Sequence, residues 1–439
     1  MKYFGTDGIR GAYGSENMNE AFAQKVGMAV GYFLNEQGMS SPNVALGCDT
    51  RPSSPSLKEA LINGLKVSGA RVIDFDVVPT PALAFGVIKH QLNFGVMITA
   101  SHNPYKDNGI KFFNGDGTKL NLQQEVLLES FIGMERPHKQ ADHPCESRPI
   151  LDEYLKNIKS HFSELNLSGL QIALDSANGA TCKSTMTMLE DLGADVSAIH
   201  QGTGLINNEC GSENLESLIS LVQREKLHLG IAHDGDGDRV CFVNHQGSKI
   251  DGDQILGLLA LHAYRNNELE SSTFVSTIHS NFGLHSSLNK EGIHSISADV
   301  GDRNVYQKML DKNSSLGGES SGHIIFRDYL PTGDGLFAAL SVLQAMNRSA
   351  QSLDSLSNEI NLLPSKSGSF FVASKPPLDQ IPSLNQELEI CQNHLGEKGR
   401  VLIRYSGTEP KIRLLVEGPS TTIMEECFEQ LRSVLQKAL

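Results

Sequence analysis

Short apolar runs alternate with amphipathic stretches along the first three quarters of the chain. Three of these runs, too short for helices, predict buried strands: residues 44–49, 172–175 and 273–278. Each is followed by a helical stretch that ends at a glycine with a leucine four residues before it, namely Gly69, Gly193 and Gly292. A glycine in that place is typical of a helix C-terminus. Three strand–helix–glycine–strand units predict three related α/β domains with largely parallel sheets.

The pattern changes after a serine-rich stretch with a proline at 361–369. Residues 369–373 and 401–417 predict strands, the second range forming two strands around a turn, and residues 378–394 predict a helix. An amphipathic helix closes the chain, so this part is predicted to be a small α+β domain. With a second junction at 134–149, the predicted domains are 1–150, 151–251, 252–362 and 363–439.

Composition and charge narrow the function classes. A chain of 439 residues with 39% hydrophobic and 20% charged residues has the composition of a soluble globular protein. Its net charge of −14 argues against nucleic acid or an anionic membrane as the main partner. The seven scattered cysteines lack CxxC spacing and predict free thiols in a reducing cytoplasm. An apolar signal segment and a membrane-length apolar run are both absent from the sequence.

A serine follows one buried strand at the position where open α/β sheets bind ligands. The apolar run 95–100 predicts that strand, and Pro104 forces a turn just after Ser101. Beside the hydroxyl, His102 can carry a proton and Lys111 can supply a positive charge. These residues indicate a nucleophile or a phosphate carrier. An ordinary strand-to-turn transition with a capping serine is the alternative.

Three aspartates on alternate residues predict a metal site. Asp234, Asp236 and Asp238 lie between two apolar strands, and such carboxylates repel one another unless a cation lies between them. Oxygen ligands indicate Mg²⁺ or Ca²⁺ rather than zinc. An EF-hand is excluded, because Arg239 and His245 occupy the places of its glycine and its bidentate glutamate. Three carboxylates that leave room for substrate oxygens suit Mg²⁺-assisted phosphoryl transfer. An acidic surface hairpin is the alternative.

Three further loops carry polar groups. Glu319, Ser321 and His323 suit recognition of sugar hydroxyls, with His323 as a proton shuttle, although a plain polar loop has the same composition. An early glycine-rich turn carries Arg10, which can reach a phosphate held elsewhere; a surface loop is the alternative. The third loop predicts an anion-binding nest, with a plain hairpin turn as the alternative. Its members are Arg404, Ser406, Gly407, Thr408 and Arg413.

Together these elements predict phosphoryl transfer to or from a sugar. A P-loop and a kinase glycine loop are absent from the sequence, so a nucleotide is not the evident donor. A phosphoserine at Ser101 would carry nearly two negative charges, which the metal and nearby cations would offset.

The motifs TASHNPYKDNGIKFF, DGDGDR, GESSGH and RYSGTEPKIR occur in this order along the chain. In these motifs the chain resembles the α-D-phosphohexomutase superfamily over its whole length. Its opening FGTDGIRG and its spacing are most similar to the bacterial phosphoglucosamine mutases. The resemblance implies three related mixed α/β domains and a small C-terminal α+β domain around a central active-site cleft. It also implies a phosphosugar substrate, a homodimer, and a product that supplies UDP-N-acetylglucosamine synthesis.

The resemblance further implies a mechanism through a bisphosphate. Phosphorylated Ser101, primed by a sugar 1,6-bisphosphate, would donate its phosphate to the 1-hydroxyl of glucosamine 6-phosphate. The 6-phosphate of the reoriented bisphosphate would then return to Ser101. Mg²⁺ would be held by the serine phosphate and by Asp234, Asp236 and Asp238. Arg10, Lys111 and Arg239 match positions around the phosphoserine, with Lys111 as an acid/base candidate. The sugar contacts and the distal phosphate contacts would come from Glu319, Ser321, Arg404, Ser406, Gly407, Thr408 and Arg413, with His323 beside the reacting centre.

Four residues depart from the usual family pattern: Ser320, His233, His279 and Tyr405. Ser320 stands in the sugar loop, where it leaves the sugar preference open. Phosphomannomutase or phosphoglucomutase activity is therefore an alternative. A weakly active phosphosugar-binding paralogue and a phosphatase are the others.

Overall fold

The computed structural model describes residues 1–5, 7–134, 144–406 and 409–439. The predicted junction at 134–149 lies largely outside these described residues. The chain divides into two compact units, one of residues 1–278 with 293–357, and one of residues 279–292 with 358–439.

The first sheet of the larger unit is mixed. Its strands are β1 (Ile9–Ala12), β2 (Asn43–Cys48), β3 (Arg71–Val77), β4 (Phe94–Ile98), β5 (Asp107–Asn114) and β6 (Glu146–Ser147), and its helices are α1 (Glu20–Glu36), α2 (Ser54–Val67), α3 (Thr80–Lys89) and α4 (Leu122–Phe131). The strand order is β1-β5-β4-β2-β3-β6. Strands β2, β3, β4 and β6 are parallel, whereas β5 runs antiparallel to β4 and β1. Arg10 therefore lies on an edge strand, and the prediction that it sits in a turn is wrong.

The second sheet carries an antiparallel hairpin. Its elements are α5 (Leu151–His161), β7 (Gln171–Asp175), α6 (Ser184–Asp191), β8 (Asp195–Ile199), α7 (Glu216–Glu225), β9 (Leu229–His233), β10 (Val240–Asn244) and β11 (Lys249–Ile250), in the strand order β11-β10-β9-β7-β8. β9 and β10 pair antiparallel, with His233 opposite Val240. Because each strand is buried along nearly its whole length, the short loop between them is held on both sides.

The third sheet continues the pattern of the first two. Residues 252–357 form, in chain order, α8 (Gly252–Arg265), β12 (Thr273–Thr277), α9 (Phe282–Lys290), β13 (His294–Ala298), α10 (Asp302–Lys312), β14 (Leu316–Gly318), β15 (Ile324–Phe326), α11 (Gly335–Ser349) and α12 (Leu353–Ser357). The strand order is β13-β12-β14-β15. β12 is parallel to β13 and β14, and β15 is antiparallel to β14. Helix α9 belongs to the smaller compact unit.

The three glycines at the helix ends have the predicted backbone. Gly69, Gly193 and Gly292 have φ of 88°, 97° and 90°. This is the left-handed region, where a side chain is unfavourable. The amide of Ala70 donates to the Leu65 carbonyl over 3.0 Å, which closes the end of α2. The prediction of C-terminal glycines is confirmed.

The smaller unit is built on a three-stranded antiparallel sheet. Its elements are β16 (Ser365–Phe371), α13 (Pro382–Leu395), β17 (Arg400–Tyr405), β18 (Lys411–Glu417) and α14 (Thr421–Ala438), with β18 between β16 and β17. The predicted helix 378–394 begins only at Pro382, because proline favours the first turn of a helix. One face of the sheet packs against α13 and α14 through Ile412, Leu414 and Val416.

The predicted fold class is confirmed: three mixed α/β parts are followed by a small α+β part. The four domain boundaries stay a prediction. Among the described residues, every helix is too short or too polar to cross a membrane.

Candidate active site

Ser101 is presented by a strained turn at the end of β4. Its φ is 53°, a left-handed conformation that costs energy in any residue other than glycine and that persists only where the surroundings impose it. Its amide donates to the Thr99 hydroxyl over 2.9 Å, and the Asn103 amide donates to the Ala100 carbonyl over 3.0 Å. Ser101 is 1% exposed. The predicted strand, turn and serine are therefore all present, and the turn is built to hold the serine in one conformation.

A buried arginine holds this turn together. The guanidinium of Arg51 donates to the backbone carbonyls of Ser101 (2.9 Å), Asn103 (2.9 Å), Pro104 (2.6 Å) and Asp107 (2.8 Å). Its Nε donates to Asp49 over 2.9 Å, and both side chains are fully buried. Arg51 is not among the residues predicted from the sequence, although it follows the first apolar run by two residues.

The three predicted metal ligands converge in the loop between β9 and β10. Ligand oxygens of Asp234, Asp236 and Asp238 lie within 4.8 Å of one another, and all three residues are buried. The Ser101 hydroxyl donates to Asp234 over 2.6 Å. Burial, and then the neighbouring carboxylates of Asp236 and Asp238, raise the pKa of Asp234 well above its ordinary value.

Two buried carboxylate oxygens in this group indicate a cation. Oδ1 of Asp236 and Oδ1 of Asp238 accept no hydrogen bond from the residues that the structure describes. Buried acceptors without hydrogen bonds are costly, and a hard divalent ion would coordinate both oxygens. The Asp238 oxygen also lies 3.6 Å from the His323 imidazole. The all-oxygen donor set therefore fits Mg²⁺ or Ca²⁺.

Lys111 on β5 lies against the same carboxylates. Its ammonium is 2.8 Å from Asp236, 3.0 Å from Asp238 and 3.2 Å from Asp7. Burial lowers the pKa of Lys111, but the attraction of these three carboxylates outweighs burial and leaves that pKa well above its ordinary value. Lys111 is therefore a fixed positive charge beside two of the predicted metal ligands.

A cavity of about 410 Å³ opens beside this charged group. Among the residues that line it are six of the predicted ones: Arg10, His102, Asp238, Arg239, Glu319 and His323. The His102 Nδ1 atom is 3.3 Å from the Ser101 hydroxyl. Burial, and then Arg239, lower the pKa of His102. Glu319 accepts a hydrogen bond from the Gly301 amide over 3.0 Å, which leaves its second oxygen for a ligand.

The sugar loop presents its two serines differently. The Ser321 hydroxyl is buried, with no hydrogen-bond partner in the described part of the chain, whereas the Ser320 side chain is exposed. The departure at Ser320 therefore lies on the exposed side of this loop.

A chain of ion pairs that the sequence analysis missed connects the first and third sheets. The Lys119 ammonium donates to Asp7 over 2.6 Å and also to Asp302. His323 Nε2 lies 3.4 Å from Asp302, and His323 Nδ1 lies 3.6 Å from Asp238. Lys119 and Asp302 are 183 residues apart, so this contact had no local signal.

His233, the departure that precedes the metal loop, closes that loop. Its Nδ1 lies 3.0 Å from the Arg239 carbonyl, and its Nε2 lies 3.0 Å from the Thr185 hydroxyl. Burial lowers the pKa of His233 to about 4, so the imidazole is neutral at pH 7.

The predicted phosphate nest lies in the smaller unit. Arg404 on β17 is directly opposite Arg413 on β18, and the Ser406 amide donates to the Lys411 carbonyl over 2.8 Å. Gly407 and Thr408 lie outside the described residues. The two arginines alone make this end of the sheet strongly positive.

A second group of metal-type residues is already hydrogen-bonded. Asp175 accepts from the amides of Ala177 (2.8 Å) and Gly211 (3.0 Å) and lies 2.9 Å from His200 Nδ1. Cys210 completes the group. Because its carboxylate is satisfied by protein groups, this cluster holds two turns together.

Comparison with known proteins extends these findings over the whole chain. Four domain models of phosphoglucomutase/phosphomannomutase match: α/β/α domains I (residues 1–137), II (152–247) and III (251–362), and the C-terminal domain (371–434). Phosphoglucosamine mutases from Erwinia tasmaniensis and Haemophilus influenzae are 42% and 40% identical to this chain, with 99% of each chain covered. A solved phosphoglucomutase/phosphomannomutase family protein from Burkholderia thailandensis superposes with a TM-score of 0.83 at 24% identity, covering 99% of this chain and 96% of its own.

Proposed function

The chain belongs to the phosphoglucomutase/phosphomannomutase family, a family of phosphohexomutases, and we propose that it interconverts glucosamine 6-phosphate and glucosamine 1-phosphate. Relatives that are 37–42% identical over essentially their full length are phosphoglucosamine mutases. This level of identity supports the amino sugar as substrate. The homodimer and the cytoplasmic location stay predictions.

The observation that carries the proposal is the position of the Ser101 hydroxyl. It lies 2.6 Å from Asp234, one of three buried carboxylates, and the other two contact the ammonium of Lys111. A hydroxyl in such a place suits a phosphate carrier, because the cations around it offset the charge of a phosphoserine.

Transfer would begin at phosphorylated Ser101. The bond between phosphorus and the Ser101 oxygen breaks as a bond forms to the oxygen of the sugar 1-hydroxyl, which loses its proton. Return of the 6-phosphate to Ser101 restores the carrier and releases glucosamine 1-phosphate. Lys111 would stabilise charge on the phosphoryl oxygens, and Arg10 and Arg239 would orient them. His102 and His323 are the candidates for moving the proton.

Asp234, Asp236 and Asp238 would hold Mg²⁺ together with the serine phosphate. The ion would supply charge neutralisation in the transfer. Glu319 would accept a hydrogen bond from a sugar hydroxyl with its second carboxylate oxygen. The Ser321 hydroxyl, which has no partner among the described residues, would donate or accept another. Arg404, Ser406, Gly407, Thr408 and Arg413 would bind the phosphate that is not being transferred.

A phosphorus NMR time course tests the proposed function. The protein, with Mg²⁺ and a trace of sugar 1,6-bisphosphate, receives glucosamine, glucose or mannose 6-phosphate in separate tubes. We expect the 1-phosphate signal to grow fastest from glucosamine 6-phosphate. Fastest growth from glucose or mannose would reassign the sugar. Free phosphate alone would indicate a phosphatase, and no change would indicate a binding protein.

Arg51→Lys is expected to lower kcat about 10- to 100-fold. The turn would shift slightly, and phosphoryl transfer is slow when the Ser101 oxygen is out of line with the sugar hydroxyl. A lysine ammonium has three donors and cannot replace the fork of arginine. Loss of charge-assisted hydrogen bonds to buried carbonyls should also lower the free energy of unfolding by about 2 kcal/mol. Urea denaturation and the mutase assay measure both effects.

The matched control for this prediction is Arg71→Lys, which changes an exposed arginine at the start of β3. It should leave both quantities unchanged. Wild-type turnover in Arg51→Lys would show that the buried guanidinium does not position the serine.

A further inference from the structure

The smaller unit carries a cavity of about 510 Å³ on the sheet face that α13 and α14 leave free. Side chains alternate between the two faces of a strand. Ile412 and Leu414 face the helices, so Arg413 between them faces the cavity, as does Arg404 opposite it. His279, which precedes α9, lines the same cavity.

The cavity is positively charged. Like charges directly opposite each other on neighbouring strands are unfavourable, and Arg404 and Arg413 are such a pair. The residues that line the cavity include no carboxylate in the described part of the chain. The Arg404 Nε atom is buried and has no hydrogen-bond partner among the described residues. A dianion between the two guanidinium groups would neutralise their charges and accept a hydrogen bond from the Arg404 Nε atom.

His279 contacts this arginine pair as a hydrogen-bond acceptor. Its Nε2 lies 2.6 Å from Nη2 of Arg404. Arginine can only donate, so Nε2 carries no proton and the imidazole is neutral. Burial, and then Arg404, Arg400 and Arg413, lower the pKa of His279. The charged groups that lower this pKa are thus three arginines.

Hydrogen bonds within this unit hold the segment that carries His279. The Asn281 side chain donates to the Leu363 carbonyl over 3.0 Å and accepts from the Leu363 amide over 2.9 Å. Arg400 donates to the Ser280 carbonyl. The segment that carries His279 is thus fixed to the same sheet as Arg404, and the imidazole stays beside the guanidinium.

We propose that His279 is a phosphate-binding residue that changes from hydrogen-bond acceptor to hydrogen-bond donor when a phosphate dianion binds between Arg404 and Arg413. The inference rests on the proposed function, in which this unit binds the phosphate that is not being transferred.

Phosphate binding should then take up a proton from solvent. A dianion beside the imidazole favours its charged form and offsets the repulsion from the arginines. The bound state therefore holds more protons than the free state between the two pKa values of His279. By linkage, affinity rises as pH falls through that range, and the gain is absent above the higher of the two pKa values.

Histidine-selective NMR of the full chain tests the proposal, with inorganic sulfate as the probe. Sulfate remains a dianion from pH 5 to 8, so any pH dependence comes from the protein. His279→Gln identifies the His279 signal by its loss. We expect the pKa of His279 to lie below 6.5 without sulfate. Saturating sulfate should raise that pKa by at least about one, which corresponds to a tenfold gain in sulfate affinity at low pH.

His285 is an internal control in the same spectra. Burial lowers its pKa to about 4, and it is not among the residues that line the cavity, so sulfate should leave its signal unchanged. An unchanged pKa of His279 would overturn the proposal, whether or not sulfate shifts other signals.

Steady-state kinetics separate this role from a structural one. His279→Gln should raise KM for the phosphosugar about tenfold at pH 6 and much less at pH 8, measured as the ratio to wild type so that titration of the substrate cancels. An equal rise at both pH values would contradict proton uptake. The sulfate experiment needs no turnover, so the phosphate-binding inference remains testable even where the assigned reaction fails.

Discussion

Ser101→Ala is expected to lower kcat by at least about 10⁴-fold, because the variant lacks the hydroxyl that carries the phosphate between the two half-reactions. The hydroxyl is the only oxygen of this side chain, and it lies 2.6 Å from Asp234. A water molecule in the space left by the hydroxyl cannot replace it, because water is not held covalently and would carry the phosphoryl group away from the protein.

The same variant should fold normally. It loses one buried hydrogen bond, from the Ser101 hydroxyl to Asp234, so the free energy of unfolding should fall by only about 1 to 2 kcal/mol. Turnover is measured by phosphorus NMR, and incorporation of labelled phosphate into the protein by mass spectrometry. Ser130→Ala, at an exposed serine of α4, is the matched control. Labelled phosphate on Ser101→Ala together with wild-type turnover would assign the carrier to another residue.

Asp234→Asn is expected to lower kcat about 10³-fold and, at the same time, to stabilise the metal-free protein. The three carboxylates repel one another in a buried place, and burial with this repulsion already raises the pKa of Asp234. An amide relieves the repulsion but is a weaker ligand for a hard cation. Activity and metal-free stability should therefore change in opposite directions.

Magnesium titration followed by thermal denaturation separates these effects. A ligand at 100 times its Kd stabilises the native state by about 2.7 kcal/mol, so wild type should melt several degrees higher with Mg²⁺. Asp234→Asn should melt higher than wild type with chelator and gain little from Mg²⁺. Asp152→Asn, at an exposed aspartate of α5, should behave as wild type. An equal Mg²⁺ gain in all three proteins would place the ion elsewhere.

Local patterns predicted the secondary structure around the site. The apolar runs became β2, β7 and β12, as expected. These predictions hold because burial and backbone geometry act over a few residues. The prediction failed at residue 378, where a short 3₁₀ turn precedes the helix that Pro382 begins.

Chemistry carried by a motif was also readable from the chain. Alternating aspartates that repel one another indicate a cation wherever they occur, so Asp234, Asp236 and Asp238 could be named without a structure. The same holds for Ser101 at the end of a strand. In contrast, Arg51 and Lys119 look like ordinary surface charges in the sequence. In the larger unit, Arg51 joins one carboxylate to four backbone carbonyls, and Lys119 bridges two carboxylates.

The sequence by itself determined the elements, the fold class and the ligand chemistry, because each depends on neighbours along the chain. Only the tertiary structure decided which groups meet. Ser101 and Asp234 are 133 residues apart and belong to different sheets, and His279 meets Arg404 across 125 residues. Such contacts follow from the packing of whole layers, which no short stretch encodes. That packing decides which arginine is buried, which carboxylate oxygen lacks a hydrogen bond and which histidine is neutral.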